Sequence, residues 1–571
     1  MTAVASNPAF AQAGILPGQS RLLASATATH LRASLLLVIA ALCLFLPGFF
    51  TLQPMDRDEP RFAQATKQML ETGDFVAIRF QKEARNKKPV GIYWLQAASV
   101  TLGEKLGVED ARRKIWLYRL PSLLAAIGAV LLAYWTALAF VSRSGAFLAA
   151  LLLASTVLIG VEARLAKTDA TVLATVLAAM GAFARIFLGQ TTGNPWRLPA
   201  IFWTAIGIGL LVKGPITPMI PLLAGVALYA RDRAAPWLRP LKVGPGLLWA
   251  LLIVLPWFVM IMVVTKGAFL ADSVGADMLG KVGSGQEAHG APPLTYFAAF
   301  WGTAWPMAPL AALAAPFVWM SRKDARVLFL ICWVVPAWLL FEIVPTKLPH
   351  YVLPLYPAIA ILVVIGIERG ALGLDTRWRR AVLWLVPALM GAALAAVLGY
   401  AIWAKAAPSW VYFLFGPVGL FAAVYFALPR YDHVRRIAAG AIAAVCLSLV
   451  AYLGVLRGDT GTDIAISPRM AAQARVGGCA DTALASSGYY EPSLVFLTRT
   501  DIAMLDGKRA AAFMQDGPCR LAFVEARQEA AFKTALGDTP GVRLRERITG
   551  MNINGGRKLD FGVWVRAGGT P

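Results

Sequence analysis

Apolar runs of about membrane-crossing length recur through most of residues 33–456, and this recurrence constrains the fold more than any other feature of the chain. The runs are rich in Leu, Ala, Val and Trp and lack the alternation of a strand with one polar face, so in lipid only helices satisfy their backbone groups. With 58% hydrophobic and 15% charged residues and a mean hydropathy of +0.62, the 571-residue chain reads as an integral membrane protein. A β-barrel is disfavoured.

The first run, 33–50, is followed by the bulky stretch Leu46-Pro-Gly-Phe-Phe-Thr-Leu-Gln-Pro54 and not by a small-residue cleavage pattern, so it is expected to stay as the first span. Arg21, His30 and Arg32 before it favour a cytoplasmic N-terminus, which puts the first long loop, 51–114, outside. Hydropathy places further spans near 117–140, 145–161, 170–187, 199–212, 215–230, 245–265, 294–319, 327–343, 351–367, 382–403, 410–427 and 437–456, about thirteen in all. Loops assigned to the inside carry the basic residues, among them Arg143, Arg197, Arg239, Lys242, Arg322, Arg369 and Arg430. The net charge of +22 therefore suits anionic membrane lipids and topology, and nucleic acid is not expected as a partner.

After the last span the composition turns mixed. The transmembrane part is assigned to 1–456 and a small α/β domain to 457–571. Strand-like segments are expected at 493–498, 520–525 and 560–566, with a helix over 525–536. An odd number of spans puts this domain on the outer side, where Cys479 and Cys519 can pair.

The same topology gathers polar residues from distant loops at the outer face. The first loop brings Asp58, Arg61, Glu83, Lys87 and Lys88; later turns bring Glu162, Lys167, Asp169, Lys213, Lys347, His350 and Tyr351; residues 266–289 form another outer loop. A carboxylate beside paired cations at the bilayer surface points to chemistry on a lipid-linked phosphate. Each residue also has a plainer reading. Asp58 or Glu59 can cap the helix that Pro60 opens, Asp169 can cap its own helix, and the lysines and His350 can sit at the interface as anchors.

Two stretches carry a more specific likeness: Asp58-Glu-Pro-Arg-Phe-Ala-Gln-Ala-Thr-Lys-Gln-Met-Leu-Glu-Thr-Gly-Asp-Phe75 and Asn86-Lys-Lys-Pro-Val-Gly-Ile-Tyr-Trp-Leu95. Together with Ala163-Arg-Leu-Ala-Lys-Thr-Asp-Ala170, the Lys213-Gly214 turn and Lys347-Leu-Pro-His-Tyr-Val-Leu-Pro-Leu-Tyr-Pro357, they resemble the lipid A aminoarabinose transferases. That family belongs to the polyprenyl-phosphate-sugar glycosyltransferases related to protein O-mannosyltransferases. The resemblance implies an all-α polytopic bundle of the C-type glycosyltransferase fold in the bacterial inner membrane. It also implies a donor carried on undecaprenyl phosphate and a lipid A or other periplasmic acceptor. On this likeness Asp58 and Asp169 fall at catalytic positions, and Arg61, Lys88, Lys213, Lys347 and Tyr351 at substrate-binding ones. Lys87 departs from the pattern, because these transferases often carry an acid there.

No cofactor is required by this reading. A divalent metal between Glu83 and His350 is an added expectation that rests on two loops meeting. Two alternatives stand beside the main reading: a related transferase acting on a protein or surface glycan, and a lipid-carrier transporter or flippase. A transporter should show internal repeats and charges at mid-membrane depth, whereas here the charges gather at helix ends.

Overall fold

A computed structural model describes residues 21–568 apart from 56, 192, 274, 276–289, 404–408, 456–464, 477, 478, 480 and 553–555. Most of the 266–289 loop and the expected domain junction thus lie outside the described residues. Among those described, eight helices are long and apolar enough to cross a membrane, from Ile115–Ala137 to His433–Gly454. The expected thirteen spans are not established. The first run forms a helix of 16 residues, His30–Phe45. The 145–161 run breaks between Arg143–Ala154 and Val157–Glu162, where the Ser155 and Thr156 hydroxyls bond back to the Leu151 and Leu153 carbonyls. The 294–319 run breaks between Thr295–Thr303 and Ala308–Met320, around Pro306.

The first loop holds two further helices, Asp58–Thr72 and Gly91–Lys105, with a short ribbon between them that pairs β1 (Arg79–Phe80) with β2 (Glu83–Ala84). Gly73 ends the first helix at φ 71°, its N–H reaching the Met69 carbonyl, a left-handed cap that suits glycine. Gly91 opens the second helix hard against the Arg197–Lys213 helix. A Cβ there would stand 2.7 Å from the Leu211 carbonyl oxygen, so the missing side chain lets the loop lie close to Lys213.

A buried ion pair ties this loop to the bundle. Glu59 and Arg119 are both fully buried and meet through two bonds, Nε to Oε1 at 2.7 Å and Nη2 to Oε2 at 2.9 Å. Arg119 also donates to the Leu52 and Gln53 carbonyls at 2.6 and 3.0 Å, while Glu59 accepts the backbone N–H groups of Met55 and Ala166. One charge pair thus joins the end of the first run, the loop helix, the Ile115–Ala137 helix and the 162–169 turn. Its hydrogen-bonding capacity is spread over four segments, which is what makes burial of both charges tolerable.

The C-terminal residues form a five-stranded sheet of order β4-β3-β5-β7-β6, with strands β3 (Ala483–Ser487), β4 (Ala503–Leu505), β5 (Arg520–Glu525), β6 (Val542–Asn552) and β7 (Arg557–Arg566). β3 pairs parallel with β4 and β5, and β7 pairs antiparallel with β5 and β6. Along β5, Leu521 and Phe523 face one apolar cluster while Ala522 and Val524 face the other, the period-2 signature of a strand covered on both faces. The expected strand at 520–525, the strand over 560–566 and the helix near 525–536 all form, and Cys479 and Cys519 are joined by a disulfide.

The 493–498 segment differs from expectation: Pro492–Leu497 is a helix. Its apolar residues serve two cores at once, Leu494 and Val495 packing under the sheet while Phe496 enters a cluster with Ala63, Tyr118 and Ala166 of the membrane part. The neighbouring residues reinforce this docking. Arg57 pairs with Glu491 at 3.1 Å, Gln64 donates to the Thr500 hydroxyl at 2.8 Å, and Lys67 donates to the Phe496 carbonyl at 3.2 Å.

Two outcomes follow from these contacts. Glu59→Gln or Arg119→Met alone leaves one buried charge unpaired and should cost about 3–5 kcal/mol. Melting of the detergent-solubilised protein should fall sharply for each single variant and by clearly less than their sum for the double variant. Burial pushes the Lys67 ammonium down to about 8, with Glu71 beside it opposing the shift. Between that value and the ordinary lysine value the unfolded chain binds more protons, so stability from this group rises with pH. The melting temperature of the parent should therefore gain on that of Lys67→Met from pH 8 to pH 10, and a constant gap would contradict the assignment.

Candidate functional site

The two acids at the start of the loop helix divide their work. Arg57 is the residue preceding the helix, and no side chain caps it, so neither Asp58 nor Glu59 acts as an N-cap. Glu59 turns inward to Arg119, and Asp58 turns outward with about half its side chain exposed. One turn on, Arg61 lies with Nη1 3.8 Å from Asp58 Oδ1, a loose ion pair with room on its open side.

The 162–169 turn is held from four directions. Glu59 accepts from the Ala166 N–H at 2.9 Å, Gln96 donates to the Ala166 carbonyl at 3.1 Å, and Ser122 donates to the Lys167 carbonyl at 3.1 Å. Arg164, almost fully buried, donates to the Pro47 carbonyl at 2.7 Å and stacks over the Tyr452 ring at 4.1 Å. With its backbone fixed, the turn presents Glu162, Lys167 and Asp169 as a set.

Asp169 is the first residue of the Asp169–Phe187 helix and does not cap it. Its carboxylate instead accepts from the Lys213 ammonium, which stands at the end of the Arg197–Lys213 helix before Gly214 turns the chain at φ 67°. His350, from the 349–355 turn, bridges the acids: Nε2 lies 3.6 Å from Asp169 Oδ1 and Nδ1 lies 3.6 Å from Glu162 Oε1. Lys167 completes the group, 3.6 Å from the same Glu162 oxygen. Tyr351 packs its ring against His350 and under the Lys213 ammonium, 5.5 Å away. Residues from three separate sequence regions thus form one buried cluster of alternating charge.

Other expected residues fall differently. Lys88 is half-buried, and its charge acts on His350 together with those of Lys167 and Lys213. Lys347 does not join the cluster: its ammonium donates to the Phe341, Glu342 and Val344 carbonyls and so closes the Ala325–Ile343 helix. Glu83 sits exposed on β2 and makes no ion pair with His350, whose acidic neighbours are Glu162 and Asp169. Tyr93 and Arg85 add a second layer behind Asp58. Arg85 covers the Phe62 ring at 5.2 Å, and burial raises the Tyr93 phenol above its ordinary value.

Glu162 and Lys167 belong to the cluster although the sequence, which placed both at the outer face, gave neither a catalytic or binding role. The signal for both was their place in the charged stretch Glu162-Ala-Arg-Leu-Ala-Lys167-Thr-Asp169, and Glu162 matters further here. With Asp169 and His350 it offers three ligand atoms within 4.8 Å of one another, a set that can hold a divalent metal. The arrangement does not fit one as it stands. Lys213 already bonds Asp169 Oδ1, and Lys167 balances Glu162. Purified protein should therefore keep its melting temperature through chelator treatment. One zinc or manganese per chain, lost in Glu162→Gln, would overturn that expectation.

Residues 87–260, which include Lys88, Glu162, Asp169 and Lys213, match the family model of the dolichyl-phosphate-mannose-protein mannosyltransferases. Similar curated proteins include the undecaprenyl phosphate-alpha-4-amino-4-deoxy-L-arabinose arabinosyl transferases of Erwinia tasmaniensis and Pectobacterium carotovorum. The first is 28% identical over 53% of this chain and 54% of its own length, the second 27% over 62% of each. The chain spans a little over half the length of these curated relatives. Among solved structures, ArnT of Cupriavidus metallidurans bound to undecaprenyl phosphate superposes with a TM-score of 0.71 at 18% identity, covering 94% of this chain and 98% of that one. The Archaeoglobus fulgidus oligosaccharyltransferase in its apo form follows with a TM-score of 0.51 at 12% identity, covering 87% and 69%. The fold is therefore the ArnT-like helical bundle with its small C-terminal sheet. In sequence the chain is thus similar to the undecaprenyl phosphate-alpha-4-amino-4-deoxy-L-arabinose arabinosyl transferases and, through residues 87–260, to the dolichyl-phosphate-mannose-protein mannosyltransferases, and in fold to ArnT.

Proposed function

We propose that the chain is a glycosyltransferase of the inner membrane that moves 4-amino-4-deoxy-L-arabinose from undecaprenyl phosphate to a phosphate of lipid A at the periplasmic face. The observation that carries the reading is the gathering of Asp169, Lys213, His350 and Lys88 at the end of the bundle that also bears Asp58 and Arg61. The likeness to the arabinosyl transferases supports the sugar and its carrier.

In the transfer the bond between the sugar C1 and the carrier phosphate oxygen breaks, and its electron pair stays on the phosphate. Arg61 and Lys88 are suited to stabilise that growing charge, Arg61 by its planar fork and Lys88 as a point charge in a half-buried position. An oxygen of the acceptor phosphate attacks C1. It is already an anion, so no proton has to be removed and no general base is required. Asp58, with about half its side chain exposed, is suited to pair with the sugar's 4-amino group. Asp169 acts through Lys213, holding the ammonium where it meets the Tyr351 ring. Lys347 is left out of the substrate ligands because carbonyls take up its ammonium.

A second reading keeps the carrier and changes the acceptor to a hydroxyl on a protein or glycan. The half-exposed Asp58 favours it, since that carboxylate is accessible enough to serve as the base such an acceptor needs. Expression in a transferase-deficient Gram-negative strain that still makes undecaprenyl-phosphate aminoarabinose distinguishes the two. Mass spectra of extracted lipid A should show the aminoarabinose adduct with the parent chain and lose it about a hundredfold or more with Arg61→Ala or Lys88→Ala. Well-expressed parent chain that yields no adduct would overturn the lipid A acceptor and put the second reading first.

A further inference from the structure

The opposite end of the bundle holds a feature that the transfer chemistry does not use. Arg185 lies sixteen residues beyond Asp169 on the same helix, on the order of 24 Å away. It lines a cavity of about 500 Å³ together with Arg197, Arg239 and Lys242, and none of the lining residues is acidic. Some cations elsewhere at this end have carboxylate partners, as Arg369 does in Asp324 and Arg435 in Asp432. Among the described residues, these four cations have none. Two are held in place by aromatic rings, Arg185 over Trp135 at 4.0 Å and Lys242 over Trp196 at 3.9 Å. Loop charges that served orientation alone would need neither a shared cavity nor fixed side chains.

The second observation lies on the other side of the same short turn. Leu238–Leu241 sends Arg239 to the basic cavity, while Leu238 and Leu241 line a neighbouring groove of about 390 Å³. No residue lining that groove is charged; Phe183, Phe202 and Leu222 form part of its wall. Trp203 donates to the Leu241 carbonyl at 3.0 Å and so fixes the turn between the two spaces. A cationic recess beside an apolar groove at the end of a membrane bundle matches the two halves of one kind of molecule.

We propose that this is a binding site for an anionic glycerophospholipid, with its phosphate headgroup among Arg185, Arg197, Arg239 and Lys242 and an acyl chain in the groove across the Leu238–Leu241 turn. Charge complementarity selects the headgroup: Arg185 donates to the Gly181 and Trp135 carbonyls, and the four cations together line one recess with no acid in its wall, which suits an anion. The adjoining groove selects a lipid over a soluble phosphate. The site stands apart from the Asp169 cluster and does not depend on the proposed transfer reaction.

Native mass spectrometry of the full chain, released from micelles containing equal phosphatidylglycerol and phosphatidylcholine, tests it. The parent should retain phosphatidylglycerol selectively. Arg197→Gln, Arg239→Gln and Lys242→Gln together should weaken retention by about fivefold per cation, on the order of a hundredfold in all. Arg322→Gln, Lys323→Gln and Arg430→Gln remove the same charge from the same end outside the cavity and should change nothing. Gly225→Leu probes the groove: a Cβ there meets only Trp237 and Phe183 at 3.4 Å or more, so the longer side chain can enter the groove without breaking the helix. It should lower phosphatidylglycerol retention, and it carries the test if the triple variant fails to fold. Equal retention of both lipids, or equal losses in the two triple variants, would overturn the site. Binding of inorganic phosphate that matches phosphatidylglycerol and ignores Gly225→Leu would overturn the lipid and leave a soluble anion in its place.

Discussion

The Glu59–Arg119 pair is the constraint on which the outer end of the bundle depends. Neither charge has solvent to fall back on, so each must find every partner within the fold. Those partners are the backbone of residues 52, 53, 55 and 166, which come from two segments more than a hundred residues apart. Satisfying one buried arginine therefore sets the position of the loop helix, and with it Asp58 and Arg61, relative to the turn that carries Glu162, Lys167 and Asp169. A buried pair of this kind is weak evidence of net stability, because desolvation offsets much of the attraction. Its clearer effect is on geometry, since few arrangements of these segments satisfy both charges at once.

The C-terminal sheet bears on the same loop helix from outside. Phe496 enters the membrane part beside Ala63 and Tyr118, and Arg57, Gln64 and Lys67 spend their polar groups on the 491–500 segment. The helix with Asp58 and Arg61 is thus held between a buried ion pair below and a docked domain above. Such a helix fixes the backbone from which the partly exposed Asp58 and Arg61 project.

Much of the architecture was legible because its causes are local. Uniform apolar runs dictate helices in lipid, and the short apolar stretches at 520–525 and 560–566, each bounded by charged residues, dictate strands. Where the reading failed, a competing tertiary demand explains it. Residues 493–498 look like a strand, but Pro492 starts a helix there, and that helix sends side chains to two cores at once. The 294–319 run looks like one span and is two helices, because hydropathy does not register the interruption at 304–307.

The site divides along the same line. The sequence by itself determined the membrane class, the concentration of chemistry-bearing residues at one end of the bundle, and the first-loop motif with Asp58, Arg61 and Lys88, since all three follow from composition, order and local spacing. Only the tertiary structure decided which charge meets which. Lys213 and Lys347 look alike in sequence, each a lysine at the end of an apolar run, yet one meets Asp169 and the other closes its own helix. Asp58 and Glu59 are adjacent, yet one faces outward and the other is buried against Arg119. Pairing depends on the direction a side chain takes from its helix and on what packs opposite it, and both are set by contacts between segments far apart in the chain.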